Sequence, residues 1–244
     1  MLFQDSFRQV EIPGKGQGLV ASTNIPKGSR VLSEAPVLVF PGATYTVLEI
    51  ILAFLALDDY KRAAYLKLYA HLSPARKTYI RAKAGPLYED MTPLSRRVLS
   101  IFLTNDFGGR IYLTASRFNH SCAPNIEYAW NENLGRGTFH AIKDIDKDEE
   151  LTLSYVVSAN RTKLQRSRSL ADNGIICTCP LCQDTIKARM DDLERIERRK
   201  ELKFLAVSDN LGDATDWQRC EKICVYMATS QQAEGALTRQ LSKL

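Results

Sequence analysis

Apolar residues along this chain change their period twice. Between Arg8 and Phe40 they come in short runs, cut by Pro13, by the Gly14-Lys15-Gly16-Gln17-Gly18 stretch and by Pro26-Lys27-Gly28. Short runs rich in Val and Leu, bounded by turn residues, are strand signatures. They predict an edge strand over 8–12, a strand resuming at Leu19 and a second β-rich run over 30–40. From 45 to 104 the period lengthens. Val47, Ile50, Ile51, Phe54 and Leu55 fall at helical spacing, and Tyr65, Leu68, Tyr69 and Leu72 do so again. Thr92-Pro93 reads as a helix start, with Leu94, Val98, Ile101 and Phe102 on the apolar face. From Arg110 the short period returns. It predicts a strand at 111–113, a hairpin pairing 126–130 with 137–142, and a strand over 151–157. Beyond that the pattern is helical: 160–172, an amphipathic helix over 184–206 carrying Ile186, Met190, Leu193, Ile196 and Leu202, and short helices over 215–228 and 232–242.

Composition narrows the class without naming a function. The 244 residues are 45% hydrophobic and 25% charged, as in an ordinary globular protein of one large or two small domains. No run approaches the length of a membrane span. The greasiest stretch, 47–57, is short and carries Glu49, so it reads as a buried helix and no membrane partner is expected. The N-terminus lacks a basic segment followed by a long apolar run, so no secretory signal is expected and the location reads as intracellular. Net charge is +5, much of it in 161–168 and 196–203. Acidic residues interrupt the second stretch and no aromatic platform accompanies it, so no specific nucleic-acid partner is expected.

The chemistry-bearing residues cluster. Cys177-x-Cys179-x-x-Cys182 places three thiols within one short segment. Structural zinc takes four tetrahedral sulfur or nitrogen ligands, so one place remains, and Cys122 is the best candidate for it. Cys220 and Cys224 stand one helical turn apart as competitors, and a set of free thiols is the bland reading. Six cysteines at metal-like spacing without a secretory signal fit a reducing compartment. The stretch Asn119-His120-Ser121-Cys122 is too dense in polar groups for a plain strand. The glycine loop at 14–18 is a hairpin turn, or a place where backbone closes on a ligand because Gly has no Cβ.

Taken together, these motifs identify a resemblance. Gly16-Gln17-Gly18-Leu19, Thr104-Asn105-x-Phe107, Arg117 to Asn125, Glu150-Leu151-Thr152-Leu153-Ser154-Tyr155 and the cysteine triplet occur in the order found in SET-domain methyltransferases. The chain is most similar to the SET-and-MYND branch and its fungal relatives, over roughly residues 8–184. The resemblance implies an α+β SET domain: short β-sheets with a pseudoknot, a helical insert, a cysteine-rich post-SET zinc site and a short C-terminal helical segment. Its parts would be an N-terminal SET half over 1–40, the helical insert over 41–105, the C-terminal SET half over 106–157, the post-SET zinc segment over 158–184 and C-terminal helices over 185–244. The cysteine-rich MYND finger that interrupts the insert in that branch has no counterpart, since 45–104 contains no cysteine. The residues after 184 are too few for the branch's helical-repeat domain.

The resemblance also implies a function: methyl transfer from S-adenosylmethionine to a protein lysine, by a monomer holding one structural Zn²⁺. Tyr155 would stand at the transfer centre. Lys15, Gly16 and Gln17 would meet the cofactor's methionine end mainly through backbone, and Asn105, Asn119 and His120 would fix its polar groups. Cys122, Cys177, Cys179 and Cys182 would hold the zinc. Two positions depart from the family pattern Tyr-x-Phe-x-Cys-x-Cys. Asn173 stands where a second active-site tyrosine is expected, and Ile175 stands where an aromatic ring packs on adenine. These departures keep two other functions open: a SET-fold enzyme for a small-molecule acceptor, and a non-catalytic SET-fold binding protein.

Overall fold

The structure, a computed structural model, describes residues 6–43, 45–156, 161–183, 185–194 and 196–197. The chain divides into two compact units, 1–192 and 193–244, and the elements below belong to the first. The helices expected over 215–228 and 232–242, the end of the one expected over 184–206, and Cys220 and Cys224 lie outside the described residues.

Three small sheets carry the strands among the described residues. Strand β1 (Phe7–Ile12) pairs antiparallel with β2 (Gly16–Ala21) across the glycine loop. β2 in turn pairs with β9 (Glu150–Leu153), matching Leu19 with Leu151 and Val20 with Glu150. On its other side β9 takes the short strand β6 (Asn119–His120) in parallel, so the sheet runs β1-β2-β9-β6. The second sheet runs β3 (Arg30–Glu34), β8 (Arg136–Ala141), β7 (Ile126–Asn131), all antiparallel. The expected β-rich run over 30–40 breaks after Glu34 and resumes as β4 (Leu38–Val39), paired with β5 (Arg110–Ile111). Ala35-Pro36 lies in the gap, and proline has no N–H for a ladder. The strand expected over 151–157 stops at Leu153, so Ser154 and Tyr155 leave the sheet. The sheets enclose one core, centred on Leu19, Val31, Tyr112, Phe118, Ile126, Phe139 and Leu151. Each such side chain contributes about 1.5–3 kcal/mol on burial.

Four helices make a second core against β4 and β5. They are α1 (Val47–Leu55), α2 (Asp59–Leu66), α3 (Pro74–Ala84) and α4 (Pro93–Asn105). Each begins at a side-chain cap. Thr46 and Glu49 form a capping box on α1, and Thr92 accepts from the Ser95 N–H on α4. Ile50, Phe54, Tyr65, Leu68, Ile80, Val98, Ile101 and Phe102 fill the space between them. Two details depart from the sequence reading. α2 ends at Leu66, so Leu68 packs from a loop and Tyr69 is 56% exposed. α3 carries no apolar stripe and buries Ile80 and Ala84, yet its Ser73 cap and Pro74 at the first position are helix-start signals.

Two further features fix the site's frame. Asn125, 2% exposed, donates from Nδ2 to Glu150 O at 2.8 Å and accepts from the Thr152 N–H at 2.7 Å, stitching its loop onto β9. Glu34 accepts backbone N–H bonds from Leu113, Thr114 and Ala115 at 2.9–3.0 Å, which sets the turn that leads into β6. After β9, helix α5 (Lys163–Ala171) starts at the Thr162–Gln165 capping box. Residues 186–194 are helical, with Ile186, Met190 and Leu193 exposed and Ala188 buried.

Candidate active site

Three segments distant in sequence meet at Glu150. The Lys15 Nζ lies 2.5 Å from its Oε2, and Asn119 Nδ2 donates to its Oε1 at 2.9 Å. Gly18 packs so closely here that a Cβ would stand 2.7 Å from Asn119 Nδ2 and 2.6 Å from Ile12 Cγ1. Above this junction opens a cavity of about 570 Å³, lined by the glycine loop from Gly14 to Gln17, by Asn105, Asn119, His120 and Tyr155, and by residues 173–179. Such a volume lies within the range of small-molecule and cofactor sites.

The polar side chains of the cavity are already oriented. Asn105 spends its Nδ2 on Tyr69 O and Ile101 O at 2.8 and 2.7 Å, and Asn119 spends its Nδ2 on Glu150. Each is left with an amide oxygen that takes no partner among the described residues. The two asparagines therefore offer acceptors, which suit a bound ammonium. His120 differs. Its Nδ1 accepts the Tyr155 backbone N–H at 3.0 Å, and its Nε2 lies 3.3 Å from Cys122 Sγ. Burial pushes its titration down to about 4, so the ring is neutral at pH 7. Both ring nitrogens of His120 are thus engaged within the protein, while the residue lines the cavity.

A second cavity of about 300 Å³ adjoins the first. The two share Thr104, Asn105, Ser116, Tyr155 and Asn173 in their walls. Tyr155 is 40% exposed as a residue, but its hydroxyl points inward and donates to Phe118 O. Burial, then the Glu150 charge, raises the phenol above its ordinary value, so it stays protonated. Asn173 accepts from Arg76 Nη2 through Oδ1 at 2.5 Å. Away from the shared wall, the second cavity is lined by Asp106, Phe107, Glu127 and Tyr128. The Phe107 and Tyr128 rings meet edge-on at 5.2 Å.

Beside the first cavity the cysteines gather. The sulfurs of Cys122, Cys177, Cys179 and Cys182 all lie within 4.8 Å of one another, with Cys122 3.9 Å from Cys177 and 3.5 Å from Cys182. Tetrahedral zinc with sulfurs at ~2.3 Å needs sulfur–sulfur spacings of ~3.8 Å, so the donor set fits that ion. Leu170 and Ile175 pack around the cluster. Arg166, fully buried, donates to Leu181 O at 2.8 Å, lies 3.8 Å from Cys182 Sγ and pairs with Asp192 at 3.1 Å. A buried cation here offsets the negative charge that four thiolates and one Zn²⁺ leave.

All the expected site residues, Lys15, Gly16, Gln17, Asn105, Asn119, His120, Tyr155, Asn173 and Ile175, line the larger cavity. Sequence reasoning passed over Lys67 and Tyr69, which also line it, and Arg76, which lines the smaller one. The helical spacing of Tyr69 with Tyr65 and Leu72 gives no sign of a place in a cavity wall. Arg76 sits on a helix with no apolar stripe to draw attention, although the Ser73-Pro74 cap signal was there to read.

The chain is 26% identical over 201 residues to "Histone-lysine N-methyltransferase set5" of Schizosaccharomyces pombe, covering 81% of this chain and 56% of that protein. It is 26% identical over 214 residues to "Putative SET domain-containing protein L678" of Acanthamoeba polyphaga mimivirus, covering 79% of this chain and 83% of that one. The chain thus spans little more than half the length of the yeast relative. Its backbone also overlaps "Structure of Rubisco LSMT bound to Sinefungin and Monomethyllysine" with a TM-score of 0.49 at 13% identity, covering 71% of this chain and 52% of that one. The SET domain family model matches residues 16–156, more than half of the chain. The glycine loop, β6, β9 and Tyr155 all lie inside that match, and the chain belongs to the SET domain family.

Proposed function

We propose that the chain is an S-adenosylmethionine-dependent methyltransferase acting on a protein lysine, with one structural Zn²⁺ held by Cys122, Cys177, Cys179 and Cys182. The observation that carries this reading is the shared wall: two cavities meet at Tyr155 and Asn173. Methyl transfer needs donor and acceptor to approach from opposite sides of one narrow opening, where orientation alone supplies several kcal/mol. When bound, S-adenosylmethionine supplies an electrophilic methyl group on a sulfonium. The larger cavity would hold it through the backbone of 15–17 and the amide oxygens of Asn105 and Asn119. Tyr155, its proton committed to Phe118 O, turns oxygen lone pairs toward the opening, where they favour the polarised C–H bonds of the methyl through weak C–H···O contacts. Asp106 and Glu127 in the smaller cavity favour a cationic side chain entering from outside. The aromatic wall of Phe107 and Tyr128 suits its alkyl stem. Cysteine ligands for zinc favour a reducing, intracellular setting. Among the described residues no helix is long and apolar enough to cross a membrane.

A second reading rests on Asn173. Without the family's second tyrosine the acceptor opening is altered, which favours a small-molecule acceptor. The test is tritium transfer from [methyl-³H]S-adenosylmethionine to a protein extract and, separately, to a metabolite extract. Label in the protein fraction that survives acid hydrolysis as methyl-lysine supports the main reading, whereas label confined to the metabolite fraction replaces it with the second. Absence of binding to S-adenosylhomocysteine removes both and leaves a non-catalytic binding protein.

A further inference from the structure

The guanidinium of Arg76 lines the smaller cavity beside the shared wall, and its hydrogen bonds go to neutral acceptors. Its Nη1 donates to His71 O at 3.1 Å and to Thr104 Oγ1 at 2.7 Å. Its Nη2 donates to Leu103 O at 2.8 Å and to Asn173 Oδ1 at 2.5 Å. All of these acceptors are neutral, and among the described residues Arg76 forms no ion pair. The bonds come from both sides, from the loop before α3 and from the end of α4, so the charge cannot swing away without dismantling them. Thr104 and Asn173 both belong to the shared wall, which puts the cation one side chain from the opening.

We propose that Arg76 is a positioning residue that keeps the acceptor amine neutral at the moment of methyl transfer. This rests on the reading of the chain as an amine methyltransferase. A lysine amine titrates near ~10.4 in water, so only about one in 2,500 is neutral at pH 7. A fixed like charge nearby disfavours the ammonium and lowers that value, as does a cation beside other nucleophilic lysines. The anchoring of Asn173 acts in the same direction. Its Oδ1 is held by Arg76, so the carboxamide leaves Nδ2, which takes no partner among the described residues. The opening then presents a cation and an amide N–H where an ammonium would need acceptors. The other charged groups around the acceptor cavity are Asp106 and Glu127, and Tyr128 and Tyr155 are its phenols. Asp106 is tied to the Gly109 N–H at 2.5 Å and to Tyr45 Oη at 3.4 Å, and Asp172 is the anion that acts most on Arg76 itself. Lys15, Lys67 and Arg117 line the neighbouring cavity and add to the positive side. The resulting path runs from carboxylates at one end to a cation at the other. An ammonium is drawn in, sheds its proton to solvent near Arg76, and the neutral nitrogen gives its electron pair to the methyl carbon. The carbon–sulfur pair returns to sulfur, leaving an N-methylammonium and a thioether.

The test is the pH dependence of the single-turnover rate at saturating S-adenosylmethionine, with core histones and a whole protein extract as acceptors. The rate in the bound complex reports groups as they titrate there. In Arg76→Gln the charge is gone while a donor toward Asn173 remains. The acid limb is expected to move up by about 1–2 pH units, with the alkaline plateau within a few-fold of wild type. Arg76→Lys is expected to keep the wild-type limb. The recovered plateau and an unchanged affinity for S-adenosylhomocysteine show that the variant is folded. A uniform fall at every pH, with the limb in place, overturns the proposal and makes Arg76 a packing residue. If the wild type binds S-adenosylhomocysteine but labels no protein amine, the lysine reading fails and the proposal falls with it.

Discussion

The backbone N–H of Tyr155 donates to Nδ1 of His120 at 3.0 Å. Because Nδ1 accepts, the neutral ring carries its proton on Nε2, which faces Cys122 Sγ at 3.3 Å. One imidazole therefore ties the cysteine cluster to the tyrosine in the wall shared by the two cavities. Partners of this kind typically cost 10–100-fold in metal affinity or activity when removed. His120→Ala is expected to lower both, by about that factor, measured by chelator competition and by methyl transfer on the same preparation. A fall in turnover with zinc affinity intact would break the link between the two sites.

Metal analysis of purified protein is expected to give one zinc per chain. Cys177→Ser removes a ligand that lies at the rim of the cofactor cavity, so it is expected to lose the metal to a weak chelator and to speed amide exchange over 161–183. Metal binding of this type is coupled to local folding. A zinc content of zero in the wild type, with protein still folded, would leave the four sulfurs as reduced thiols.

Tyr155→Phe keeps the ring and deletes the hydroxyl that bonds Phe118 O. Affinity for S-adenosylhomocysteine is expected to stay within a few-fold, while kcat drops by roughly 10–1,000-fold, as for a group that acts in the transition state. Calorimetry and single-turnover rates separate the two. Full activity in the variant would reduce Tyr155 to a packing residue.

Asn173→Tyr tests the opening from the other side. The ring would have to displace the Arg76 contact, and it cannot retreat behind Gly174, where a Cβ would already stand 2.6 Å from the His71 ring. Overfilling a shaped site costs ~1–3 kcal/mol, a five- to hundred-fold loss if expressed in the barrier, roughly. The native transfer rate is expected to fall by about that factor. An unaltered rate would place Asn173 outside the site.

Gly137→Ala is a stability prediction away from the chemistry. A Cβ there would stand 2.7 Å from Cζ and Oη of Tyr112, which is fully buried and holds Tyr128 Oη at 3.2 Å. The ring has nowhere to go. A loss of about 1–3 kcal/mol is expected, seen as a Tm lower by roughly 2–12 °C.

What was legible in the sequence was what is local. The cysteine triplet, the glycine loop and the Thr92 cap each act through neighbours a few positions away, and each stands where the pattern put it. The parallel pairing of β6 with β9 was not legible from pattern, since nothing in Asn119-His120 or Leu151 to Leu153 marks its partner; the family resemblance supplied only the expectation of a pseudoknot. The direction of the Asn105 and Asn119 amides depends on Tyr69 O and on Glu150, distant groups that no spacing rule connects. Arg76 escaped notice for a related reason. Its helix is polar nearly all round, so periodicity gave it no face, and its importance comes from where α3 lands.

The placement of β2 between β1 and β9 has a consequence for synthesis. The β1–β2 hairpin is local and complete early, but the other edge of β2 waits for a strand on the order of 130 residues downstream, which at ~5–20 residues per second means roughly 7–25 seconds on the ribosome. Throughout that interval the backbone of Gly16–Ala21 presents unpaired donors and acceptors, with Leu19 and Val20 among its side chains. An open strand edge is a template for wrong partners. The cofactor cleft cannot exist before Glu150 emerges to meet Lys15 and Asn119. Ligand therefore has nothing to bind on a nascent chain and cannot cover that edge while it is open.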